Sequence, residues 1–127
     1  MNGKRIKRTV AALVACGVLA ATNIVAFAGS NWDRESGAAG TTSAKAEVGY
    51  NDNNGYARVT ASDYVDVSFE GVIHHVGGDG LTQLIGGFDQ RISGEVSRNC
   101  PDEVIGVECN FYICSDDGTW TTYLYAN

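Results

Sequence analysis

The chain has 127 residues with a formal net charge of −6, and the leader-like residues 1–8 hold four of its nine Lys and Arg, so 5 basic residues remain against 15 acidic ones, a net charge of −10. A surface this acidic repels the phosphate backbone of nucleic acid and the anionic face of most membranes, which disfavours both as partners. The length after such a leader allows one domain with a modest core.

The first 28 residues have the organisation of a secretory signal peptide. Basic residues precede a nearly uncharged apolar run, 9–27, and Ala26 and Ala28 supply the small residues of a cleavage site. We therefore predict cleavage after Ala28 and a secreted, extracellular protein. Two alternatives stay open: the run is almost long enough to remain as a membrane anchor, and a lipobox-like segment ending at Cys16 would lead to lipidation of that cysteine.

Residues 29–43 are rich in Gly, Ser, Thr and Ala and lack an apolar period, so we expect a flexible N-terminal arm. Its one large apolar residue is Trp32. Residues 44–50 and 56–61 alternate apolar and polar side chains, which is typical of strands. The segment 51–55 between them supplies a turn in which an Asn or Gly takes a positive φ. The sequence therefore predicts a hairpin.

The Asn-rich turn between these strands has some of the composition of a calcium loop. Aligning Gly55 with the glycine of an EF-hand loop places Tyr50 at the first ligand position and Ala61 at the last, where carboxylates are required. An EF-hand is therefore excluded. A loosely bound cation near Asn51 to Gly55 stays open.

Residues 64–76 form the longest alternating segment. Its apolar members, which alternate with polar residues, are Val65, Val67, Phe69 and Ile73. This period of two predicts a strand with one buried face near the middle of the core. Gly71 on the same face predicts a bulge or a close approach of another backbone. His75 continues the buried face, whereas His74 is expected to be exposed.

The C-terminal half contains one ambiguous segment and several further strands. Residues 81–88 have apolar residues at helical spacing but include two adjacent glycines, so we predict a loop with one short helical turn. Strands are predicted over residues 90–98, 104–115 and 119–126. Six or seven strands without a convincing helix predict an all-β fold, a single antiparallel β-sandwich or flattened barrel over residues 44–127.

Three cysteines follow the leader: Cys100, Cys109 and Cys114. Cys109 and Cys114 lie five positions apart in one predicted strand, so they face opposite sides and are too far apart to bond. We predict a disulfide between Cys100 and Cys109, with Cys100–Cys114 as the alternative. The spacing matches no zinc motif, and we predict neither a metal nor a cofactor.

The sequence shows no catalytic constellation. A nucleophilic cysteine needs a histidine base, and the adjacent His74 and His75 face opposite sides of their strand. Carboxylate pairs lie at neighbouring turn positions or along one polar strand face, where they do not flank a cleft. We therefore predict no catalytic residues and a protein that is not an enzyme.

Aromatic residues near the C-terminus are the best candidates for a binding surface. Trp120 and Leu124 share one face of the last strand, so Tyr123 and Tyr125 share the other, and one set must face outward. The predicted binding residues are Trp120, Tyr123, Tyr125 and Tyr112. We expect a secreted bacterial binding protein, an extracellular effector similar to a bacteriocin or an enzyme inhibitor. The alternative is a cell-surface or carbohydrate-binding module that uses these aromatics; the partner is an extracellular protein or a glycan.

Overall fold

The computed structural model describes residues 31–77 and 80–127, so the predicted leader, its cleavage site and Cys16 lie outside the described residues. The described residues form six strands and no helix. The strands are β1 (Trp32–Ala39), β2 (Thr42–Asn51), β3 (Asn54–His75), β4 (Leu81–Asn99), β5 (Val104–Cys114) and β6 (Thr119–Ala126). All paired strands run antiparallel, which confirms the all-β class.

The six strands form one sheet that is nearly closed as a barrel. The order is β1-β2-β3-β5-β6, with β4 paired to β3 outside this path. The 22 residues of β3 pair with β2 in their first half and with β5 in their second half, while β4 accompanies both halves. The long ribbon of β3 and β4 therefore belongs to both sides of the barrel.

This ribbon bends where the two sides meet. The register between β3 and β4 shifts on both sides of Val65, and Gln90 takes a left-handed φ of 55°. Asp66, which is only 2% exposed, holds the bend, because its Oδ1 accepts hydrogen bonds from the Gln90 backbone N–H at 2.8 Å and the Gln90 side-chain amide at 3.1 Å. The two strands predicted over residues 56–61 and 64–76 are therefore parts of one continuous, bent strand.

The core is built from the alternating residues of β3 and β5. The predicted inward residues of β3, Val65, Val67, Phe69 and Ile73, are all at most 2% exposed. The same holds for the alternating residues of β5, which are Val107, Cys109, Phe111 and Ile113. The Phe69 ring contacts the rings of Phe88 and Phe111 at centroid distances of 6.1 and 5.6 Å. His75 is 5% exposed on the same side, as predicted. Period-two alternation thus identified the centre of the core correctly.

The gap in the barrel lies between β1 and β6, which share no backbone ladder in the part of the chain that the structure describes. Three side-chain hydrogen bonds bridge it: the Tyr125 backbone N–H to Asp33 at 3.2 Å, the Ser115 hydroxyl to the Ala39 carbonyl at 2.6 Å, and the Thr122 hydroxyl to Glu35. The first two bonds satisfy backbone groups, the Tyr125 N–H and the Ala39 carbonyl, that a missing ladder would leave unpaired.

The prediction of a flexible arm over residues 29–43 is wrong for Trp32–Ala39, because these residues form β1. Its residues Asp33 and Glu35 point toward the gap, where they accept hydrogen bonds from β6. A strand that carries polar side chains at the positions facing such partners shows no apolar period in its sequence. The hairpin from β2 to β3 forms as predicted, but Asp52 takes the positive φ, 44°, that we assigned to Asn or Gly.

The loop expected over residues 81–88 is also wrong, because these residues form the first half of β4. Leu84 is fully buried and Ile85 is 46% exposed, so the segment follows a period of two along β3. Gly86 lies where a Cβ would come within 3.0 Å of Val96 in the second half of β4. Gly86 therefore allows the bent strand to pack against itself, and Gly87, where a Cβ would meet the Val67 carbonyl, allows the close approach of β3.

The predicted Cys100–Cys109 disulfide is not formed; among the described cysteines none is in a disulfide, and all three are buried. The backbone N–H groups of Cys100 and Val104 both bond to the β2–β3 turn, at Asn53 and Asp52. Cys109 follows Val104 by five residues of extended strand, about 16 Å. That separation exceeds the reach of a disulfide.

Candidate functional site

The predicted tyrosines lie on the outer surface of the sheet formed by the second half of β3, β5 and β6. Three successive rows cross these strands: Val72, Glu108 and Tyr125; Glu70, Asn110 and Tyr123; Ser68, Tyr112 and Thr121. We call this outer surface, with Tyr112, Tyr123, Tyr125, His74 and Glu108, the tyrosine face. Alternation places all of these side chains on the same side of the sheet.

Glu108 is the centre of a hydrogen-bond network on the tyrosine face. The Tyr123 hydroxyl donates to Oε1 at 2.9 Å, and His74 Nε2 lies 2.6 Å from Oε2. The Tyr125 ring packs edge-on against the His74 imidazole with a centroid distance of 6.3 Å. The His74 and Glu108 side chains are 32% and 30% exposed. The network is therefore ordered and still accessible from solvent.

The environment of Tyr123 keeps its hydroxyl protonated. Burial, together with the hydrogen bond to Glu108 and its negative charge, raises the pKa of Tyr123 far above its usual range. The hydroxyl consequently remains a donor to Glu108 across physiological pH.

The structure separates the four predicted aromatic residues. Trp120 faces the interior, where a Cβ on Gly37 of β1 would come within 2.2 Å of its ring. Tyr112 and Tyr123 are 7% and 9% exposed on the outer surface, and Tyr125 is half-buried beside them. The tyrosines therefore share one face, and Trp120 belongs to the core side.

His74 and Glu108 are functional candidates that the sequence did not reveal. Alternation places each on the polar face of its strand, and His74 was expected to be merely exposed. Their contact depends on register, since His74 pairs with Gly106 and reaches Glu108 diagonally. Only the alignment of β3 with β5 shows that the two side chains meet.

A second ordered surface lies on the outer side of β1, β2, the first half of β3 and β4. Arg34, Glu47, Arg58 and Glu95 stand opposite one another in a row across these four strands. Neighbouring guanidinium and carboxylate groups approach to 3.7, 2.8 and 3.8 Å. We call this row the charge ladder.

Glu47 is the best-enclosed member of the charge ladder, with a side chain that is 11% exposed. Its Oε2 accepts hydrogen bonds from the Tyr56 hydroxyl at 2.6 Å and Arg58 at 2.8 Å. Burial alone would raise the pKa of Glu47, but these two hydrogen bonds and the charges of Arg58 and Arg34 lower it overall. Burial and the bond to Glu47 raise the pKa of Tyr56 to about 12.

Aromatic rings flank the charge ladder. The Arg34 guanidinium lies 4.1 Å from the centroid of the Trp32 ring, which is 47% exposed. The Tyr56 ring leans over Gly49, where a Cβ would come within 2.4 Å of the hydroxyl. The absence of a side chain at Gly49 is what allows Tyr56 to reach Glu47.

A polar groove of about 420 Å³ lies at one end of the barrel, between the β1–β2 and β5–β6 turns. Its lining includes Thr41, Asp63, Gln90 and Asp117. Hydrogen bonds from the Thr41 hydroxyl and the Ser115 hydroxyl lower the pKa of Asp117. The Asp117 carboxylate therefore links the β1–β2 turn to the β5–β6 turn.

Within residues 31–77 and 80–127, no three His, Cys, Asp or Glu side chains come close enough to hold a metal ion. Near the Asn-rich turn, the carbonyls of Asp52 and Asn53 accept hydrogen bonds from Val104 and Cys100, both at 2.7 Å. The same described ranges include no apolar helix of bilayer-spanning length.

Sequence comparisons identify neither a family model nor a curated protein that matches this chain. The fold and the surfaces define the chain as a small, acidic, antiparallel β protein. It has two outer faces, and each is organised around one carboxylate.

Proposed function

We propose that this chain is a secreted, non-catalytic binding protein, an effector of bacteriocin or inhibitor type, that engages an extracellular protein through the tyrosine face. Its signal peptide is removed after Ala28, and its sheet is a flattened barrel whose gap is bridged by side chains. The observation that carries the proposal is the Glu108 network, which fixes Tyr123, His74 and Tyr125 in one array.

The composition of the tyrosine face supports a role in binding. Tyrosine is enriched at protein interfaces because it combines a large apolar ring with a polar tip and few rotatable bonds. The hydrogen bonds to Glu108 restrain Tyr123 and His74 before any partner arrives. Little side-chain entropy is then lost on association, which favours affinity.

The charge of the protein supports a basic partner. The chain after the leader carries a net charge of −10, and Glu70 lies in the row next to Glu108 on the tyrosine face. Glu70 is half-buried and has no hydrogen-bond or ion-pair partner among the described residues. A basic protein surface would be attracted at long range and would find carboxylates at the centre of the contact.

The position of the thiols supports a non-catalytic role. Cys109 faces the barrel interior. Cys114 pairs with Asp66 of β3, eight residues from His74, which is about 26 Å along an extended strand. Neither sulfur is therefore within reach of His74 as a base.

The proposal is tested by photo-crosslinking in extracellular fractions and target-cell suspensions, with the crosslinker at position 72, in the same row as Glu108 and Tyr125 and two residues from His74. We expect one specific adduct, and we expect Tyr125→Ala or Glu108→Gln to abolish it together with inhibition of the target. Trp32→Ala, on the opposite face, is the matched control. Loss of the adduct with Trp32→Ala but not with Tyr125→Ala would contradict the assignment.

A carbohydrate-binding module is the second candidate, favoured by the half-buried ring of Tyr125 beside the polar groups of His74 and Glu108. Aromatic rings bordered by hydrogen-bonding groups are suited to sugar rings. On a glycan array, this function predicts signals that Tyr125→Ala eliminates. A blank array with a specific protein adduct would favour the protein-binding effector.

A further inference from the structure

The charge ladder has a symmetry that contacts within one molecule do not require. From β1 to β4 the charges alternate, with positive Arg34, negative Glu47, positive Arg58 and negative Glu95. Reversing such a row end for end exchanges its positive and negative positions. Consider a second copy packed face to face on the first, related to it by a two-fold axis that runs parallel to the strands between β2 and β3. In this arrangement every cation of one row faces an anion of the other row.

We propose that the outer face of β1, β2, the first half of β3 and β4 binds a second copy of this chain. Arg34 of each copy then faces Glu95 of the other, and Glu47 faces Arg58. The side chains of Arg34, Arg58 and Glu95 are 47%, 46% and 47% exposed, so each retains surface for a partner beyond its contacts within the ladder. The occupant is a second copy because the charge pattern is complementary to its own reverse.

The rows on either side of the ladder fit the same axis. One row contains Ser36, Lys45, Thr60 and Ser93, and the other contains Trp32, Gly49, Tyr56 and Ser97. Lys45 is the one charged residue in these two rows and faces Thr60 of the other copy, so no like charges are opposed. Trp32, the most protruding aromatic of the face, meets the small Ser97.

Tyr56 provides apolar contact at the axis itself. Its ring leans from β3 over Gly49 of β2, across the line through which the axis passes. The two Tyr56 rings therefore meet at the centre of the interface. Stacked aromatic rings at the centre and charge pairs at the edge are the usual arrangement of a specific protein interface.

The expected dimer is weak and concentration-dependent. Four strands at a spacing of about 4.8 Å make a face about 19 Å wide, and three rows two residues apart make it about 20 Å long. Its area of roughly 400 Å² is smaller than the ~800 Å² that each partner contributes to a standard stable interface. The net charge of each copy also opposes association. This face lies apart from the tyrosine face, so the dimer does not depend on the proposed function.

Sedimentation equilibrium of the purified protein at physiological ionic strength tests the dimer. We expect the weight-average mass of the wild type to rise toward twice the monomer mass as concentration increases. Arg34→Glu and Glu95→Arg should each stay monomeric over the same range. An equimolar mixture of the two variants should regain association, because the acids of one chain then oppose the bases of the other.

Matched charge reversals away from this face, Arg98→Glu, which alternates to the other side of β4, and Glu103→Arg, control for the change in net charge and should associate like the wild type. Circular dichroism confirms that each variant is folded. A wild type that remains monomeric at the highest concentration, single variants that still dimerise, or folded variants whose mixture stays monomeric would each overturn the proposal.

Discussion

The tyrosine face and the charge ladder share one design but differ in the partners of their central carboxylate. Glu108 and Glu47 each accept a tyrosine hydroxyl and a basic side chain, Tyr123 with His74 in one case and Tyr56 with Arg58 in the other. Arginine keeps its charge at all relevant pH values. The ladder is thus a permanent charge pattern of four alternating side chains, and the tyrosine face is an aromatic surface gathered around one carboxylate.

The largest expected effect concerns the core that supports both faces. Phe69→Ala should lower the free energy of unfolding by ~3 to 5 kcal/mol, because a ring that is 2% exposed and packed between Phe88 and Phe111 leaves a cavity. Urea unfolding measures this loss. Ile105→Ala, at a side chain that is 54% exposed, should change stability by less than about 0.5 kcal/mol. A loss below ~1 kcal/mol for Phe69→Ala would contradict the placement of Phe69 in the centre of the core.

Removal of the carboxylate charge at the centre of each face should destabilise the protein to different extents. Glu47→Gln should cost about 1 to 3 kcal/mol at neutral pH, since a well-enclosed carboxylate loses charge-assisted bonds to Tyr56 and Arg58. Glu108→Gln should cost less, about 0.5 to 1.5 kcal/mol, because its side chain is more exposed. Chemical denaturation of both variants gives the order. The reverse order would mean that the ladder is not the more rigid face.

Acid should weaken the contribution of Glu47 in a defined pH range. The pKa of Glu47 is lower in the folded protein than in the unfolded chain, where it is about 4.3. The stability that the Glu47 charge contributes is therefore fully present above about pH 4.3. It is lost as pH falls through the lower, folded-state pKa. The difference in unfolding free energy between wild type and Glu47→Gln should be constant from neutral pH to about 5 and shrink below about 4. A difference that stays constant through that acid range would show that the charge of Glu47 is not stabilised by the ladder.

At the alkaline end, the ladder should delay the ionisation of one tyrosine. Tyr56 should titrate with a pKa of about 12 in the folded protein. The stability that its protonated hydroxyl contributes should be complete below the ordinary tyrosine pKa of about 10 and should be lost as pH rises through about 12. Ultraviolet titration of wild type against Tyr56→Phe isolates this residue. In the Glu47→Gln background the Tyr56 step should move back toward about 10. If the pKa of Tyr56 did not change in the Glu47→Gln background, burial alone would account for its raised value.

The smallest effect is expected at Trp32. Trp32→Ala removes a cation–π contact with Arg34 from a side chain that is nearly half exposed, so it should cost about 0.5 to 1 kcal/mol. Thermal or chemical unfolding measures this, with Tyr64→Ala, at 63% exposure, as the control that should have less effect. A loss comparable to that of Glu47→Gln would show that Trp32 is part of the structural core of this face.

Residue alternation was sufficient to predict the centre of the fold. Val67, Phe69 and Ile73 point inward because a strand with one dry face must place every second side chain there, and this holds whatever the neighbouring strand is. The same rule failed for β1, whose Asp33 and Glu35 are satisfied by partners on β6. It also failed for the start of β4, where glycines that suggested a loop serve close packing.

The two surface networks could not be predicted, since each depends on register. Alternation shows that Glu47 and Arg58 lie on polar faces, but their contact requires that Arg34, Glu47 and Arg58 align across three strands. A shift of one residue would turn each set to the other side of the sheet. Whether Trp120 faces inward or outward could not be predicted for a similar reason. The space that the Trp120 ring occupies exists because Gly37, on a strand distant in sequence, has no side chain.

The role of the tyrosine face is tested most directly by titrating the crosslinked partner, once identified and purified, into wild type, Tyr125→Ala and Trp32→Ala by isothermal calorimetry. We expect Tyr125→Ala to weaken binding by about tenfold or more, as for a central aromatic contact, and Trp32→Ala to bind like the wild type. Unchanged binding by Tyr125→Ala together with loss of binding by Trp32→Ala would contradict the assignment of function to the tyrosine face.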